Sequence, residues 1–459
     1  MSGEKDTLRL WKRIRKLRLN ATQIIPLVFA GIILLGTVLL ALPAASRSGS
    51  SCGLFPALFT ATSATCVTGL TLFDTFTQWS GFGQIVILVL IEVGGLGFMS
   101  VASLVIFLLR RKVGLKQRMV MAQAMSLNDM QDVVRLQKIV IFGSLGIQLV
   151  GAVILMLRFL PDYGFRQALI WGVFHAVSGF CNAGFDIFGR IAPGQSVITF
   201  NHDPVVLITL MLLITVGGLG FFVWEELVRV RSFKKYSVYT KLVLISTAVV
   251  ITLGTAMILL LEWNNPDTLG PMPVWQKVLN SFFQTVTLRT AGFVSLDQSL
   301  LTDSTKGLSL LIMLIGGSSG STAGGMKIVT FVVLMLFIWA KARGRSTVHV
   351  FRRTVPNEKA IDAMTIFFIL VGLAFFGGVF ISATASVSLV DGLYEAVSAL
   401  ATVGLTAGIT ATMGLPAQLL VILFMFFGRV GVLTISLGFL MGDKAEDRFR
   451  YADTNLLIG

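Results

Sequence analysis

The sequence predicts an all-α polytopic membrane protein in which four parallel helix–re-entrant pore loop–helix repeats surround one pore with pseudo-fourfold symmetry. Three observations predict this fold. Of the 459 residues, 55% are hydrophobic and only 13% are charged, whereas soluble domains carry about 25% charged residues. A short motif that ends in glycine recurs four times, and clusters of Lys and Arg recur with the same period. Together they exclude an ordinary soluble domain and indicate a repeated membrane unit.

The formal net charge of +14 is concentrated in clusters of basic residues. Such an excess can indicate nucleic-acid binding, but the cytoplasmic loops of membrane proteins also carry excess Lys and Arg. Clusters at 12–18, 110–118, 229–235 and 341–353 separate the apolar runs. We therefore place them, and both termini, on the cytoplasmic side of the cell membrane. A unit that starts and ends on that side crosses the bilayer an even number of times.

The first apolar run, residues 24–42, is long enough to span a bilayer as a helix. It follows a basic stretch, as the apolar core of a signal peptide does, but no small-residue cleavage pattern follows it. We expect a retained helix in the first unit, after a basic cytoplasmic N-terminus at 1–19. The three cysteines, Cys52, Cys66 and Cys181, lack the spacing of a metal site or a disulfide framework.

Four short segments align without gaps and end in glycine, and each carries an aromatic residue ten positions before that glycine. The glycines are Gly69, Gly184, Gly292 and Gly404, and the aromatic residues are Phe59, Phe174, Phe282 and Tyr394. The apolar run after each glycine carries a second glycine mark, such as the GGLGF of residues 94–98 and 217–221. Each unit is therefore predicted to be a helix, a motif segment and a second helix.

The motif segments are too short to be spans, because each offers about a dozen residues where about 20 are needed. Non-helical chain at membrane depth is tolerated only where it is buried in protein or lines a water-filled path. We expect eight spanning helices and four re-entrant loops. The repeats are predicted at 20–112, 137–235, 238–343 and 360–445, with a cytoplasmic linker helix at 113–136, a cytoplasmic linker at 344–359 and a C-terminal tail at 446–459.

Four re-entrant loops around one axis reproduce the geometry of a cation channel, in which rings of main-chain carbonyls replace the hydration shell of the ion. Glycine suits such loops because it adopts positive φ freely, although close helix packing is an alternative role for any one glycine. The predicted selectivity filter comprises Thr65, Cys66, Val67, Thr68, Gly69, Cys181, Asn182, Ala183, Gly184, Arg289, Thr290, Ala291, Gly292, Ala401, Thr402, Val403 and Gly404. The predicted cation ligands are the carbonyls of Val67, Thr68, Asn182, Ala183, Thr290, Ala291, Thr402 and Val403.

An apolar run at 311–333 is interrupted by glycine and hydroxyl residues in the third unit. Glycine costs about 1 kcal/mol per helical position, so this run should break near mid-membrane, where a pore supplies water to the freed backbone. We predict an intramembrane gating loop made of Gly316, Gly317, Ser318, Ser319, Gly320, Ser321, Thr322, Ala323, Gly324 and Gly325. Tight helix packing is the alternative. A phosphate-binding loop is excluded, because no Gly-Lys-Ser/Thr follows the first glycine.

Four polar side chains near these motifs receive separate predictions. Arg429 is a charge within the last apolar run, and intramembrane charges are functional candidates, so we assign it to the gate, where it holds the loop or repels cations. The Arg289 side chain should point away from the pore and brace its loop. Glu92 is expected at the outer end of a helix, and His175 is expected to pack between loop and helix.

The motifs together resemble the Trk/Ktr/HKT superfamily of potassium transporters over essentially the whole chain, and the bacterial Ktr membrane subunit in particular. The resemblance is carried by TSATCVTGL, FHAVSGFCNAGF, RTAGFVSLD and TVGLTAG in the loops, and by the two GGLGF runs, GGSSGSTAGG and FFGRVGVLT in the second helices. It implies a potassium-channel-like fold and potassium uptake, with Gly69 favouring K+ over Na+ and sodium dependence left open. It also implies a homodimer with one pore per subunit, a separate cytoplasmic RCK-type, KtrA-like nucleotide-binding ring, and no covalent cofactor.

Two other functions compete with this one. An alternating-access cation symporter usually contains inverted repeats with broken helices, but inverted repeats need an odd number of crossings per unit, which the basic clusters disfavour. A membrane-bound enzyme or a sensor scaffold is the other alternative. An enzyme would need a cluster of His, Cys, Asp or Glu within the membrane, and none of the three histidines, His175, His202 and His349, pairs with a carboxylate at helical spacing. We therefore expect a transporter and not an enzyme.

Overall fold

The structure is a computed structural model that describes residues 21–97, 133–345 and 347–431. The predicted N-terminus at 1–19 and the tail at 446–459 lie outside the described residues, as does nearly all of the predicted linker helix at 113–136. Within the described ranges the chain is mostly helical. The main helices are α1 (Ala21–Ala41), α2 (Leu54–Thr65), α3 (Gly81–Leu96), α4 (Val133–Phe180), α5 (Pro204–Leu219), α6 (Phe221–Arg229), α7 (Val238–Glu262), α8 (Val274–Thr287), α9 (Asp303–Leu314), α10 (Ile328–Ala342), α11 (Asn357–Ala385), α12 (Leu389–Leu400) and α13 (Leu415–Val430).

Shorter elements connect these helices. One is the single-turn helix Thr75–Gln78, which Asp74 caps by accepting a hydrogen bond from the Thr77 N–H. The others are the 3-10 helices Pro43–Ala45, Phe188–Arg190, Ile198–Phe200, Phe233–Lys235 and Gln298–Leu300.

Four helices of the described ranges are long and apolar enough to cross a membrane, namely those covering Gln23–Ala41, Gln137–Phe180, Val238–Glu262 and Asn357–Ala385. Many of their apolar side chains face outward; Leu34 and Leu35, for example, are each 62% exposed. An outward apolar surface of this kind suits lipid and not water. The chain is therefore a membrane protein, as its composition predicted.

The long helix α4 contains two helical segments. Gly164, with φ 72° and ψ 163°, separates them just after Pro161, because glycine accepts a positive φ and proline cannot continue the hydrogen-bond ladder. The second segment ends at Phe180, immediately before the motif that contains Gly184. It is thus equivalent to the short helices α2, α8 and α12, which end just before the other three motifs. We call these four segments the entry helices.

The second helix of each unit is shorter than the first or is interrupted. Helices α5 and α6 meet at Gly220 with a bend of 95°, and residues 315–327 separate α9 from α10. Helices α3 and α13 end at Gly97 and Gly431, which have φ values of 80° and 94°. The bent pair is one broken candidate span, and α3, α10 and α13 are shorter apolar helices. The expectation of eight spans in four repeats stays a prediction.

A small β-hairpin departs from the expected all-α fold. Strands β1 (Val348–Val350) and β2 (Arg353–Val355) pair antiparallel within the predicted linker at 344–359, with Val348 opposite Val355. The strand pattern forms because Val348 and Val350 alternate toward a cluster that includes Ala340 of α10. The hairpin is therefore anchored to the end of the third unit.

The buried side chains form two large apolar clusters. One joins α2, α3, α4 and α5 to the motif of the third unit. The other joins α9, α11, α12 and α13 to parts of the first unit. The first and third motif segments contribute residues to both clusters, the second contributes to the first cluster and the fourth to the second. The motifs therefore lie where the packed helices meet.

Candidate functional site: a ring of four loops beside an intramembrane loop

The four motif segments share an unusual backbone. The motif glycines all have positive φ, between 68° at Gly184 and 100° at Gly69. Two positions before each glycine, a residue with a side chain also has positive φ: Val67 at 54°, Asn182 at 58°, Thr290 at 67° and Thr402 at 51°. Positive φ is uncommon in residues with a side chain, and in β-branched residues it is an outlier that costs free energy. The same strained turn at all four places indicates a functional requirement.

The four glycines form a closed ring. A methyl group on Gly69 would lie 2.6 Å from the carbonyl oxygen of Ala183, one on Gly184 would lie 2.9 Å from that of Ala291, and one on Gly292 would lie 2.7 Å from that of Val403. A methyl group on Gly404 would overlap the carbonyl oxygen of Thr68, which closes the ring. Each glycine thus abuts the carbonyl that precedes the next glycine around the ring. A side chain at any of these four positions would force backbone atoms of the next motif to shift.

Side-chain hydroxyls tie each motif to its own entry helix. In units one and four, a serine hydroxyl accepts a hydrogen bond from the N–H of the motif glycine. In units two and three, a hydroxyl donates to the carbonyl of the residue that follows the motif glycine. The pairs are Gly69 N to Ser63 Oγ at 3.1 Å, Gly404 N to Ser398 Oγ at 3.1 Å, Ser178 Oγ to Phe185 O at 2.6 Å and Thr287 Oγ1 to Phe293 O at 2.7 Å. Sequence reasoning missed these hydroxyls, although Ser63, Ser178 and Ser398 open their aligned motifs.

The predicted filter residues are thus brought together at one place through their backbone. Arg289 belongs to this group by its main chain, whereas its guanidinium is buried and lies 3.4 Å from the Thr247 hydroxyl of α7. Its side chain therefore points to the neighbouring helix α7, whereas its orientation away from a pore and its bracing of the loop stay predictions. His175 is buried and accepts a hydrogen bond from the Ile187 N–H at 3.3 Å, which agrees with the packing role expected for it.

The predicted gating loop lies against the break between α5 and α6. The Ser318 N–H donates to Gly218 O at 3.0 Å, and the Thr322 N–H donates to Gly217 O at 3.3 Å. In return, the Phe221 N–H donates to Gly320 O at 2.8 Å. These bonds satisfy main-chain groups that both broken helices leave free, as burial in an apolar medium requires.

Two further contacts place this loop next to the ring. The Thr322 hydroxyl donates to Phe180 O, at the end of the second entry helix, at 3.0 Å. A methyl group on Gly324 would overlap the Thr402 hydroxyl and lie 2.9 Å from Ala401 O. The loop therefore contacts motif segments of the second and fourth units directly.

Arg429 joins the loop to the first unit. Its guanidinium donates to Thr322 O at 2.5 Å, to Gly95 O at 3.0 Å and to Gly94 O. Arginine suits this task because its planar fork carries five N–H donors and keeps its charge. The same side chain thus bridges α13, the end of α3 and residues 315–327.

Glu92 does not lie at an outer helix end, so that expectation was wrong. Helix α3 starts at Gly81, where the Ser80 hydroxyl accepts a hydrogen bond from the Gly83 N–H, and Glu92 therefore falls well inside the helix. Its carboxylate accepts hydrogen bonds from Gln148 Nε2 at 3.0 and 3.2 Å and from the Cys181 thiol at 3.3 Å. It is partly buried and contacts Cys181 of the second motif segment.

Comparison with known proteins identifies the family. The sequence model of the family described as "TrkH: Cation transport protein" matches residues 19–448. The potassium/sodium uptake protein NtpJ of Enterococcus hirae is 36% identical over 453 residues, which cover 98% of this chain and 99% of that protein. Ktr system potassium uptake protein B of Bacillus subtilis is also 36% identical, over 99% of this chain and 100% of that protein.

The fold agrees with this assignment. The crystal structure of the potassium transporter TrkH from Vibrio parahaemolyticus superposes with a TM-score of 0.72 at 18% identity, covering 92% of this chain and 86% of that one. At that identity the likeness concerns the fold alone. The family match and the two full-length relatives carry the assignment, and they agree with the resemblance in the loop motifs. This chain therefore belongs to the TrkH family of cation transport proteins.

Proposed function

We propose that this protein takes up potassium across the cell membrane through a channel-like pore. The single observation that carries the proposal is the ring in which four glycines abut the carbonyls of Thr68, Ala183, Ala291 and Val403. Rings of carbonyl oxygens replace the hydration shell of a permeating cation. In this proposal, each motif is a re-entrant loop of one of four repeats, and the ring is the selectivity filter.

The choice of potassium rests on two supports. All four motif positions are glycine, and in the resembled superfamily a glycine at the position of Gly69 goes with potassium. The full-length relatives are named for potassium uptake, one of them for potassium and sodium. We propose K+ as the main cargo, with Na+ as a weaker competitor or a coupled ion.

We propose that residues 316–325 form the gate beside this filter. A limited set of hydrogen bonds holds the loop to its neighbours. They join it to the α5/α6 break at Gly217, Gly218, Leu219 and Phe221, to Phe180 O, to the Tyr239 hydroxyl and to Arg429. Local opening of a protein occurs where few bonds must break. Release of Thr322 by Arg429 is, in this proposal, one step of pore opening.

We further propose a homodimer that sits on a separate cytoplasmic RCK-type, KtrA-like nucleotide-binding ring. The support is the resemblance of the motifs, together with the exposed basic residues at 229–235 and 341–353, which would face the cytoplasm. The same charge bias places both termini in the cytoplasm.

The test is cation flux through the purified chain in liposomes. Uptake of radiolabelled rubidium is driven by an internal excess of either K+ or Na+. We expect uptake with K+ inside and little with Na+ inside. Gly69→Ser should then reduce the preference for K+, while deletion of 317–324 should raise uptake and retain the preference.

An alternating-access symporter is the competing function, which the broken helices α5/α6 and α9/α10 would also suit. It predicts that rubidium uptake depends on a gradient of a second ion at a fixed membrane potential. Uptake that persists without any such gradient supports the pore. Strict dependence on the second gradient would overturn it.

A further inference from the structure

A buried carboxylate lies behind the fourth motif. Glu395 of α12 has no exposed surface and stands nine positions before Gly404. The Thr410 hydroxyl, six positions after Gly404, donates a hydrogen bond to Glu395 Oε1. The Thr406 hydroxyl and the Ala407 N–H also interact with this carboxylate, although Oε2 lacks a hydrogen bond of full geometry within the described residues. One side chain thus connects the entry helix to the chain that leaves the motif, which we call the exit limb.

Two other units join the same two parts of the chain. In unit two, His175 occupies the position of Glu395, and its Nε2 accepts from the Ile187 N–H of the exit limb at 3.3 Å. Its Nδ1–H donates to Trp171 O at 2.7 Å, and its ring stacks on Phe188 with centroids 3.8 Å apart. His175 is therefore held on both sides and cannot rotate freely.

In unit three, two side-chain amides connect the entry helix to the exit limb, and we call such a connection a brace. Gln284 Nε2 donates to Gln298 Oε1 at 2.6 Å, and Gln298 Nε2 donates back to Gln284 Oε1 at 3.1 Å. Gln298 lies six positions after Gly292, as Thr410 does after Gly404. The Tyr394 hydroxyl, next to Glu395 in the chain, also donates to Gln298 Oε1 at 2.8 Å. The brace of unit four is therefore continuous with that of unit three.

A carboxylate is an expensive choice at such a place. A polar or ionisable group without contact with water costs free energy unless its hydrogen bonds repay it, and an apolar side chain would fill the same volume at lower cost. What Glu395 supplies, and an apolar residue does not, is an acceptor that fixes Thr410. Fixing the exit limb fixes Gly404 and the carbonyls of Thr402 and Val403, and Thr402 has a strained backbone with a φ of 51°.

We propose that Glu395 and Thr410 are a positioning pair that sets the cation selectivity of the fourth loop. The inference rests on the proposed function, in which the glycine ring is the filter. Removal of the hydrogen bond lets the fourth loop relax from its strained turn. The carbonyls then no longer match the radius of K+, and Na+ competes better.

The experiment measures how strongly external K+ and Na+ each inhibit rubidium uptake into liposomes, in wild type and in Thr410→Val and Thr410→Ser. Valine keeps the shape of threonine but not its hydroxyl, and serine keeps the hydroxyl. We expect Thr410→Val to lower the discrimination of K+ over Na+ by about 3- to 10-fold, as the loss of one hydrogen bond at the site allows. Thr410→Ser should stay within about twofold of wild type. Equal effects of valine and serine, or no effect of valine, would overturn the proposal.

If Thr410→Val does not fold, a second pair of variants tests whether the hydrogen bond between Glu395 and Thr410 sets the discrimination. Glu395→Gln keeps an acceptor for the Thr410 hydroxyl, whereas Glu395→Leu removes it. Discrimination should be preserved better by glutamine than by leucine, and equal discrimination would overturn the proposal. Thr384→Val is the matched control, because the Thr384 hydroxyl is exposed and donates to Phe380 O within α11.

Gly404→Ser, measured in the same assay on the uptake that remains, separates the two levels of inference. If Gly404→Ser lowers discrimination and Thr410→Val does not, the filter stands and the positioning pair fails. If neither variant changes discrimination while uptake continues, the proposed filter itself is misplaced.

Discussion

The four motif segments and the loop at 315–327 are both glycine-rich, but they are held in opposite ways. Each motif is tied to its own entry helix, as Ser63 is to Gly69 and Ser398 is to Gly404. The loop is tied mainly to other units, through Gly217, Gly218 and Arg429. A segment braced within its own unit keeps its shape when units shift. A segment braced by its neighbours changes when they move, which is what a gate requires.

The glycines of the motifs and those of the loop also differ in what their backbone must do. In the motifs, every glycine combines positive φ with a close approach to the next segment. In the loop, Gly320 and Gly325 have positive φ, while Gly316 and Gly324 allow close packing. Substitution in the motifs should therefore damage conduction, and loss of contacts around the loop should release it.

The largest effect is expected from Gly404→Ala. A methyl group there would overlap Thr68 O, and φ is 90°, so the fourth loop must leave the ring. We expect rubidium uptake to fall at least about tenfold, since such strain costs about 1–3 kcal/mol before any clash is counted. The matched control is Gly31→Ala, in α1, where a methyl group meets no neighbour within 4 Å. Equal uptake by Gly404→Ala and Gly31→Ala would show that the close approach at Gly404 is not needed for conduction.

The ring was more predictable from the sequence than the contacts that hold it. Four aligned glycines predict a repeat, because the same backbone conformation imposes the same residue each time. The proximity of Arg429 to the loop also followed from the equivalent depth of the two sites in their repeats. The position of Glu92 did not follow from the sequence, because it depends on the residue at which α3 begins. The residues that bind the loop lie far from it in the sequence. No local sequence pattern identifies Gly217 or Phe180 as one of its hydrogen-bond partners.

Arg429→Ala is expected to have the next largest effect, in the opposite direction. The substitution removes the donors to Thr322 O, Gly95 O and Gly94 O, so the loop loses its link to α3 and α13. Rubidium uptake should rise about 3- to 10-fold, since hydrogen bonds from a charged group contribute about 1.5–3 kcal/mol. The K+ preference should be unchanged. Arg166→Ala, which removes an exposed arginine, is the control; lower uptake with unchanged protein yield would contradict the role in holding the loop closed.

Tyr239→Phe should produce a smaller change of the same kind. The Tyr239 hydroxyl donates to Ser319 O at 3.1 Å from α7, and phenylalanine removes that bond while it retains the ring. One neutral hydrogen bond contributes about 1 kcal/mol, so uptake should rise by about twofold to fivefold. Tyr163→Phe, in α4, provides a matched loss of a hydroxyl away from the loop. An equal response of both variants would show that the bond to Ser319 does not restrain the loop.

The smallest effect is expected outside both regions, at the ion pair between Lys306 of α9 and Asp391 of α12. Lys306 Nζ lies 2.8 Å from Asp391 Oδ1. Burial alone would raise the pKa of Asp391, but hydrogen bonds from Lys306 and Ser388 outweigh it and hold that pKa below its ordinary value. The pair therefore stabilises the folded chain above the ordinary aspartate pKa of about 3.9, and this stabilisation is lost as pH falls through the lower folded pKa.

Asp391→Asn tests whether a contact between units three and four can stabilise the chain without affecting conduction. At pH 7 we expect a loss of about 1–3 kcal/mol of stability, seen as a lower unfolding temperature in detergent, with rubidium uptake and K+ preference unchanged. The difference from wild type should shrink as the pH falls below about 4 and through the lower folded pKa of Asp391, because the wild-type carboxylate then becomes neutral, as asparagine is. A changed ion preference at pH 7 would mean that units three and four transmit strain to the ring through this pair. The distinction between motifs braced by their own units and a loop braced by its neighbours would then no longer hold.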